Sequence, residues 1–373
     1  MKVVVFGNGS IGKTLRAVHD FSFDVISVDF NKKSKPDLVG DANDERLRRR
    51  LLDKGDIFVD LTSDNDAVPV SEWCQDNGVG YINSDMSYPT GMKLGSIEKR
   101  FKQIVGIGKK KNLKGLGTTV LYCHGMNPGM VSHYFSEIVS NFEIASGDIE
   151  EVHVSEIDTQ ISDMMPEQET LISTWCVGGN FMDTVDSSSL HKKDYWRSRL
   201  GKINRLARDN KYWTRNPWDG KFKTYLSGNH EEVYEIGLKH NVPVCFSYKS
   251  PVQFNEGSKL LGKDSNFKPH IMSEDTICGH NAVGIYLRKR DGSEYWCGSR
   301  LDISSARKKV KNDVADLVLN ATTVLTASGV YAATRYLMEN PGRGWMMPLD
   351  AESSTMVDFV RPFLGEYFMG RLP

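Results

Sequence analysis

Cysteine is scarce and scattered. The chain has six, at positions 74, 123, 176, 245, 278 and 297, and no two stand in CxxC spacing. That excludes a disulfide framework and a thiolate zinc site, and it reads as the reduced thiols of a cytoplasmic protein. A basic excess is also lacking. Lys and Arg number 47 against 48 Asp and Glu, for a net charge of −1, which argues against nucleic acid as a partner. The one basic run, Lys109, Lys110, Lys111 and Lys114, reads as a solvated loop rather than a phosphate-binding patch. Long apolar runs are missing as well. The longest uncharged stretch, Leu317 to Thr334, is broken by Asn320, Thr322, Thr323, Thr326 and Ser328. It predicts a buried helix with a small-residue face, not a membrane span. There is no internal repeat and no low-complexity linker. The opening Met1–Gly7 already reads as a strand and leaves no room for a signal peptide.

What is present suits two soluble domains: 373 residues, 39% hydrophobic and 25% charged. Val3–Phe6 is a short apolar run, read as a buried strand. Gly7-Asn8-Gly9-Ser10-Ile11-Gly12 follows, then a helical stretch over Lys13–Asp20, then a second strand, Asp24–Val28, that ends at Asp29. This is the strand, GxGxxG, helix, strand, acid order of a Rossmann unit. Gly7 permits the tight turn, Gly9 lets a pyrophosphate approach the backbone, and Gly12 lets the helix pack closely. The helix N-terminus offers free N–H groups to the phosphates. Asp29 follows Gly7 by 22 residues, where an acid binds the ribose diol and repels the extra phosphate of NADP. Lys32 and Lys33 soften that preference for NAD. The apolar stretch Ile57–Leu61 ends in Thr62-Ser63-Asp64, which either touch the cofactor or cap a helix starting near Ala67. Gly80–Asp85 and Thr118–Tyr122 read as further strands leading into the ligand crevice.

After about residue 145 the pattern changes. Asp148–Ile157 alternates, and Val244–Tyr248, Thr276–Cys278, Gly284–Arg290 and Glu294–Gly298 are further strand candidates. Pro243 suits a strand start, and Asp291-Gly292 signals a hairpin. A largely antiparallel sheet is the natural reading, with helix resuming at Ser304. The predicted fold class is α/β. A Rossmann domain spans residues 1–145 and 305–373, and an α+β substrate-binding and dimerisation domain spans 146–304.

Several motifs are similar to those of the bacterial-type homospermidine synthases, relatives of saccharopine dehydrogenase. They are Gly7–Gly12, Asn127-Pro128-Gly129-Met130-Val131-Ser132-His133, Ser155-Glu156-Ile157-Asp158-Thr159-Gln160, and Ser173-Thr174-Trp175-Cys176-Val177. Later come His230-Glu231-Glu232, Tyr295–Ser299, Asn320-Ala321-Thr322 and Glu339–Gly344. The resemblance extends along nearly the whole chain, which is shorter than the usual bacterial members. It implies an inserted substrate domain and NAD as cofactor. It also implies a reaction that joins two putrescines, or spermidine and putrescine, with loss of ammonia or diaminopropane. By the same analogy the protein is a homodimer.

The residues suit a dication. Stripping water from an ammonium is costly unless carboxylates or π faces replace it. The region 156–235 holds Glu156, Asp158, Asp163, Glu167, Glu169, Asp183, Glu231, Glu232 and Glu235, with Trp175, Trp196, Trp213 and Trp218. Read alone, Trp175 is either a core residue or an ammonium-facing ring; the resemblance places it in the substrate site. Glu156 matches the acid of the E-x-D-T-Q motif, and Asp183 is a further candidate for the substrate. His230 and Glu232 match an H-x-E segment, and either can take the proton from the attacking amine. Asn127 fixes a nicotinamide carboxamide or a substrate amine, or simply begins a turn. One departure stands out: related enzymes carry an acid near Ser87, whereas this chain has Asp85. Two residues of extended chain shift the carboxyl by about 6–7 Å, so that anchor is either replaced or missing. No metal is called for. Two rivals remain: a saccharopine- or carboxyspermidine-dehydrogenase-like reductase, and a non-catalytic NAD-binding sensor.

Overall fold

A computed structural model describes residues 1–18, 24–62, 66–86, 96–115, 117–165, 170–177, 211–227, 230–260, 268–310, 314 and 316–373. Two compact units emerge. One comprises Met1–His133, Val310–Leu317 and Thr326–Pro362; the other comprises Tyr134–Lys309, Val318–Leu325 and Phe363–Pro373.

The first unit is built on a parallel sheet of β1 (Val3–Phe6), β2 (Val25–Asp29), β3 (Leu38–Val39), β4 (Ile57–Asp60), β5 (Gly80–Asn83), β6 (Val120–Leu121) and β17 (Trp345–Met346). The strands are ordered β17-β6-β5-β4-β1-β2-β3. Val3, Val4 and Val5 are wholly buried, with Phe6 stacked on Phe58 at 4.1 Å. A central parallel strand is covered on both faces, which is why it reads as an unbroken apolar run. The strand order reverses beside β1, and the crevice for a ligand opens at such a switch point. The first helix, Ser10–Val18, begins three residues earlier than its pattern suggested. The helix Ala67–Asp76 takes its cap from Asp66, whose side chain accepts from Val68 N at 3.2 Å. Thr62 is therefore not that cap. Lys109–Lys111 are not in a loop: they lie in the helix Ser96–Leu113, with Lys111 3.5 Å from Glu72 and 3.6 Å from Asp76.

The second unit carries another seven-stranded sheet. Its strands are β7 (Ile149–Asp158), β10 (Lys211–Asn216), β11 (Gly220–Ser227), β12 (Val244–Lys249), β15 (His280–Lys289), β16 (Glu294–Asp302) and β18 (Glu366–Arg371), in the order β10-β11-β12-β7-β15-β16-β18. All neighbours are antiparallel except β12 and β7, which run parallel. Two small ribbons pair β8 (Ile161–Ser162) with β14 (Thr276–Cys278) and β9 (Thr170–Ser173) with β13 (Lys268–Ile271). Gly292, at φ +84°, turns the β15–β16 hairpin, and its N–H donates to Lys289 O. Four segments read with the first domain group with the second unit: 134–145, 305–309, Val318–Leu325 and Phe363–Pro373, the last because β18 extends the second sheet beyond β16. The uncharged stretch after Leu317 forms the helix Ala321–Glu339. Among the described residues, no helix is long and apolar enough to cross a membrane.

Candidate active site

In the first unit the loop after β1 is fixed by close backbone contact. Gly7 sits at φ +102°, and a Cβ there would lie 2.5 Å from Leu61 O. A Cβ on Gly12 would lie 2.0 Å from Gly7 O, so the turn of the loop folds directly onto the first turn of the helix that begins at Ser10 and Ile11. Gly9 is different: among the described residues a Cβ there would meet nothing within 4 Å, so the position is sterically open. Asp29 accepts from Asn8 N and Asn31 N, both at 2.8 Å, and the Asn8 amide donates to Ser34 O at 2.8 Å. Asn8 Oδ1 is buried and has no hydrogen-bond partner among the described residues.

At the end of β4, Asp60 is fully enclosed. It accepts from Thr62 N at 3.2 Å, Thr62 Oγ1 at 2.6 Å and Tyr81 Oη at 2.9 Å. Burial raises its pKa, the three hydrogen bonds pull it back, and the nearby Asp85 charge raises it further. Ser63 and Asp64 lie outside the described residues. Asp85 is exposed just past β5, its carbonyl receiving the Asn83 amide; Asn83 Oδ1 accepts from Cys123 N at 2.8 Å. Ser87 lies outside the described residues. Asn127 is half-buried and precedes a cis peptide to Pro128. The loop closes through Gly125 N donating to Pro128 O at 2.7 Å, and a Cβ on Gly129 would lie 2.7 Å from Gly125 N.

Behind that loop two histidines are fully buried. His124 Nδ1 lies 3.0 Å from Gly329 O, and a carbonyl only accepts, so Nδ1 carries the proton. His124 Nε2 then accepts from His133 Nε2 at 3.0 Å, and His133 Nδ1 accepts from Ser353 Oγ at 3.1 Å. Burial holds the His124 pKa down to about 4.

In the second unit the site residues converge on one face of the sheet. Phe246 and Tyr248 alternate on β12, their rings parallel within 11° at 6.2 Å. The His230 ring lies 4.3 Å from Phe246, and Trp175 Nε1 donates to Tyr248 Oη at 3.2 Å. Tyr248 stands opposite Glu156 in the β12–β7 register. A ladder of aromatic faces thus runs from His230 to Trp175, with a carboxylate beside it. His230 occupies the N-cap position of the helix Glu231–His240, yet its side chain makes no cap bond. Its Nδ1 instead meets Glu232 Oε2 in a short hydrogen bond. Glu232 is 1% exposed, and its other oxygen, Oε1, has no partner among the described residues. An acceptor buried without a donor costs about 1–3 kcal/mol unless a ligand satisfies it. Ligand atoms of His230, Glu231 and Glu232 all lie within 4.8 Å of one another, a concentration of negative charge matched to a cation.

Glu156 accepts from Asn281 Nδ2 at 2.8 Å. Asp183 lies outside the described residues. Sequence reasoning did not single out Phe246, Tyr248 or Asn281. The period-two alternation of β12 carries a signal for the first two; nothing local marks the third. A cavity of about 520 Å³ opens on the opposite face of this sheet, lined by Glu151, His153, Arg215, Tyr286, Arg288 and Glu294 among others. None of the predicted site residues lines it.

No protein-family model matches the chain. It is 24% identical to the homospermidine synthase of Mesorhizobium japonicum over an alignment of 437 positions, covering 97% of this chain and 88% of that one. Identity to the homospermidine synthase of Blastochloris viridis is 21%, with 97% and 89% covered. Among solved structures, the Legionella pneumophila homospermidine synthase in complex with NAD superposes with a TM-score of 0.81 at 17% identity, covering 100% of this chain and 91% of that one. The L-Glu-forming saccharopine dehydrogenase of Saccharomyces cerevisiae gives 0.57 at 12% identity, with 100% and 99% covered. The structural likenesses establish an α/β fold of the Rossmann dehydrogenase type. Along nearly its whole length the chain is similar to the homospermidine synthases, on a saccharopine-dehydrogenase-like fold.

Proposed function

We propose that this chain is a homospermidine synthase: an NAD-using enzyme that transfers an aminobutyl group to putrescine, giving homospermidine and releasing ammonia, or diaminopropane when spermidine is the donor. The observation that carries the reading is Glu232 Oε1. It is a buried carboxylate oxygen with no donor among the described residues, held against His230 at one end of an aromatic ladder. A protonated amine supplies both the charge and the hydrogen that this oxygen lacks.

The first unit fits the cofactor. Gly9 would leave room for a pyrophosphate near the N-terminus of the helix Ser10–Val18, and Asp29 would receive the ribose hydroxyls. Asn8, Thr62, Ser63 and Asp64 complete the proposed cofactor contacts. Bound NAD supplies a hydride acceptor that can return what it takes. The chain's residues do the rest. The His230–Glu232 pair removes a proton from an ammonium, since an amine must be neutral to lose hydride or attack an imine. Trp175 presents its face to the cationic centre, a contact worth about 0.5–2 kcal/mol. Glu156, Asp183 and Asp85 anchor distal ammonium groups, and Asn127 orients either the nicotinamide amide or a substrate amine. Domain roles follow the same division, with the second unit as substrate and dimerisation domain of a cytoplasmic homodimer.

Purified protein with putrescine and a small amount of NAD⁺ tests this. Homospermidine in molar excess over NAD⁺, without lasting absorbance from NADH, supports the synthase. Stoichiometric NADH instead indicates an ordinary dehydrogenase. Tight NAD binding with no turnover on any amine indicates a sensor.

A further inference from the structure

Three motifs far apart in sequence meet around one buried carboxylate in the second unit. Asp158 Oδ1 accepts from Gln160 N at 3.0 Å and Gln160 Nε2 at 3.1 Å. Asp158 Oδ2 accepts from the hydroxyls of Thr174 and of Thr322, the latter at 2.9 Å. Gln160 Oε1 in turn accepts from Ala321 N at 2.7 Å. The E-x-D-T-Q strand end, the residue before Trp175 and the Asn320-Ala321-Thr322 segment are thereby tied together.

The direction of each hydrogen bond is fixed by counting protons. Thr322 has one hydroxyl hydrogen, and it goes to Asp158. Its oxygen therefore accepts from Gln160 Nε2 at 3.1 Å and from Asn281 Nδ2 at 3.0 Å. Asn281 Nδ2 has two hydrogens: one goes to Thr322 and the other to Glu156 Oε1 at 2.8 Å. Asn281 is 1% exposed on β15, opposite Asp158 and on the diagonal from Glu156. Its amide cannot flip without setting its carbonyl against the Glu156 carboxylate. The wiring thus offers Glu156 a donor and fixes one of its oxygens.

We infer that Asn281 and Thr322 are positioning residues for diamine recognition, transmitting the anchored geometry of Asp158 to the Glu156 carboxylate and, through Thr174, to Trp175. This rests on the proposed function and extends it. Asp158 itself has its carboxylate occupied by four donors and acts as the fixed point, not as a ligand.

The test is the binding of putrescine to NAD-loaded protein by calorimetry, with steady-state KM and kcat, for wild type, N281A, T322V and T322S. N281A and T322V raise the putrescine Kd and KM by about tenfold, the loss of one hydrogen bond to a charged group, while the NAD affinity stays within twofold. T322S keeps the hydroxyl and restores wild-type KM. N281A also covers the case in which T322V fails to fold. Unchanged putrescine affinity in folded N281A, with only a lower melting temperature, overturns the inference and leaves the residues structural. Failure of the wild type to bind or convert any diamine removes the functional reading, and this inference with it.

Discussion

The two units solve recognition by different means. In the first, the cofactor loop is shaped by what is missing: Gly7 and Gly12 remove atoms that would collide with Leu61 O and Gly7 O, and Gly9 leaves space. In the second, the site is shaped by side chains that no local rule unites. His230, Phe246, Tyr248 and Trp175 come from three segments, and Glu156 is held by Asn281. Gly12 answers the backbone of its own loop, and Gly7 answers that of Leu61 at the end of the neighbouring β4. The proposed diamine site depends on strand register, and the sequence distance between its parts is unconstrained.

That contrast can be broken at its strongest point. Gly12→Ala puts a Cβ 2.0 Å from Gly7 O, so the loop must move. The expected outcome is loss of NAD binding, with destabilisation of about 1–3 kcal/mol. Gly9→Ala meets no atom of the described residues within 4 Å, so its melting temperature stays at the wild-type value while NAD affinity falls. An unaltered NAD affinity in Gly9→Ala would show that the pyrophosphate does not pass there. Next in size is Glu232→Gln, which removes the charge and keeps the shape. Turnover falls by about 10²–10⁴ with NAD affinity retained, read from single-turnover product formation. If a chelator abolishes wild-type activity as well, the His230–Glu231–Glu232 group is holding a metal instead.

Much of the first unit was legible because its strands are short buried runs and its glycines stand at a fixed spacing. The thresholds of its helices were not. Asp66, not Thr62, caps the helix at Ala67, and cap choice depends on which backbone reaches the side chain. In the second unit β7, β12, β15 and β16 were visible by alternation, but their order was not. Nothing local states that β12 runs parallel beside β7. The strands β10 and β11, rich in Lys, Arg and Tyr, were hidden in a region read for its charge. β18, Glu-Tyr-Phe-Met-Gly-Arg, completes the second sheet from the far end of the chain. Trp175 and Glu156 were singled out through resemblance; their partners Tyr248 and Asn281 required the register.

A smaller effect separates the units by acidity. The unfolded His124 takes a proton near 6.5, the folded one only near 4. Protons therefore favour unfolding, and the stability that His124 contributes above pH 6.5 is lost progressively as pH falls toward 4. Between pH 7 and 5.5 this amounts to about 1 kcal/mol, measured as a fall in the urea midpoint. His124→Asn should flatten that slope; an equal slope in both proteins would place the titration elsewhere.

The carboxylate of Asp29 has an evolutionary consequence. It accepts the N–H groups of Asn8 and Asn31, so it braces the glycine turn after β1 with the same oxygens proposed to meet the ribose. Descendants drifting toward NADP cannot simply discard this acid, because doing so unties the turn. A change of cofactor in this lineage requires a second acceptor to arrive with the first substitution, and the preference for NAD is guarded by geometry as well as by charge.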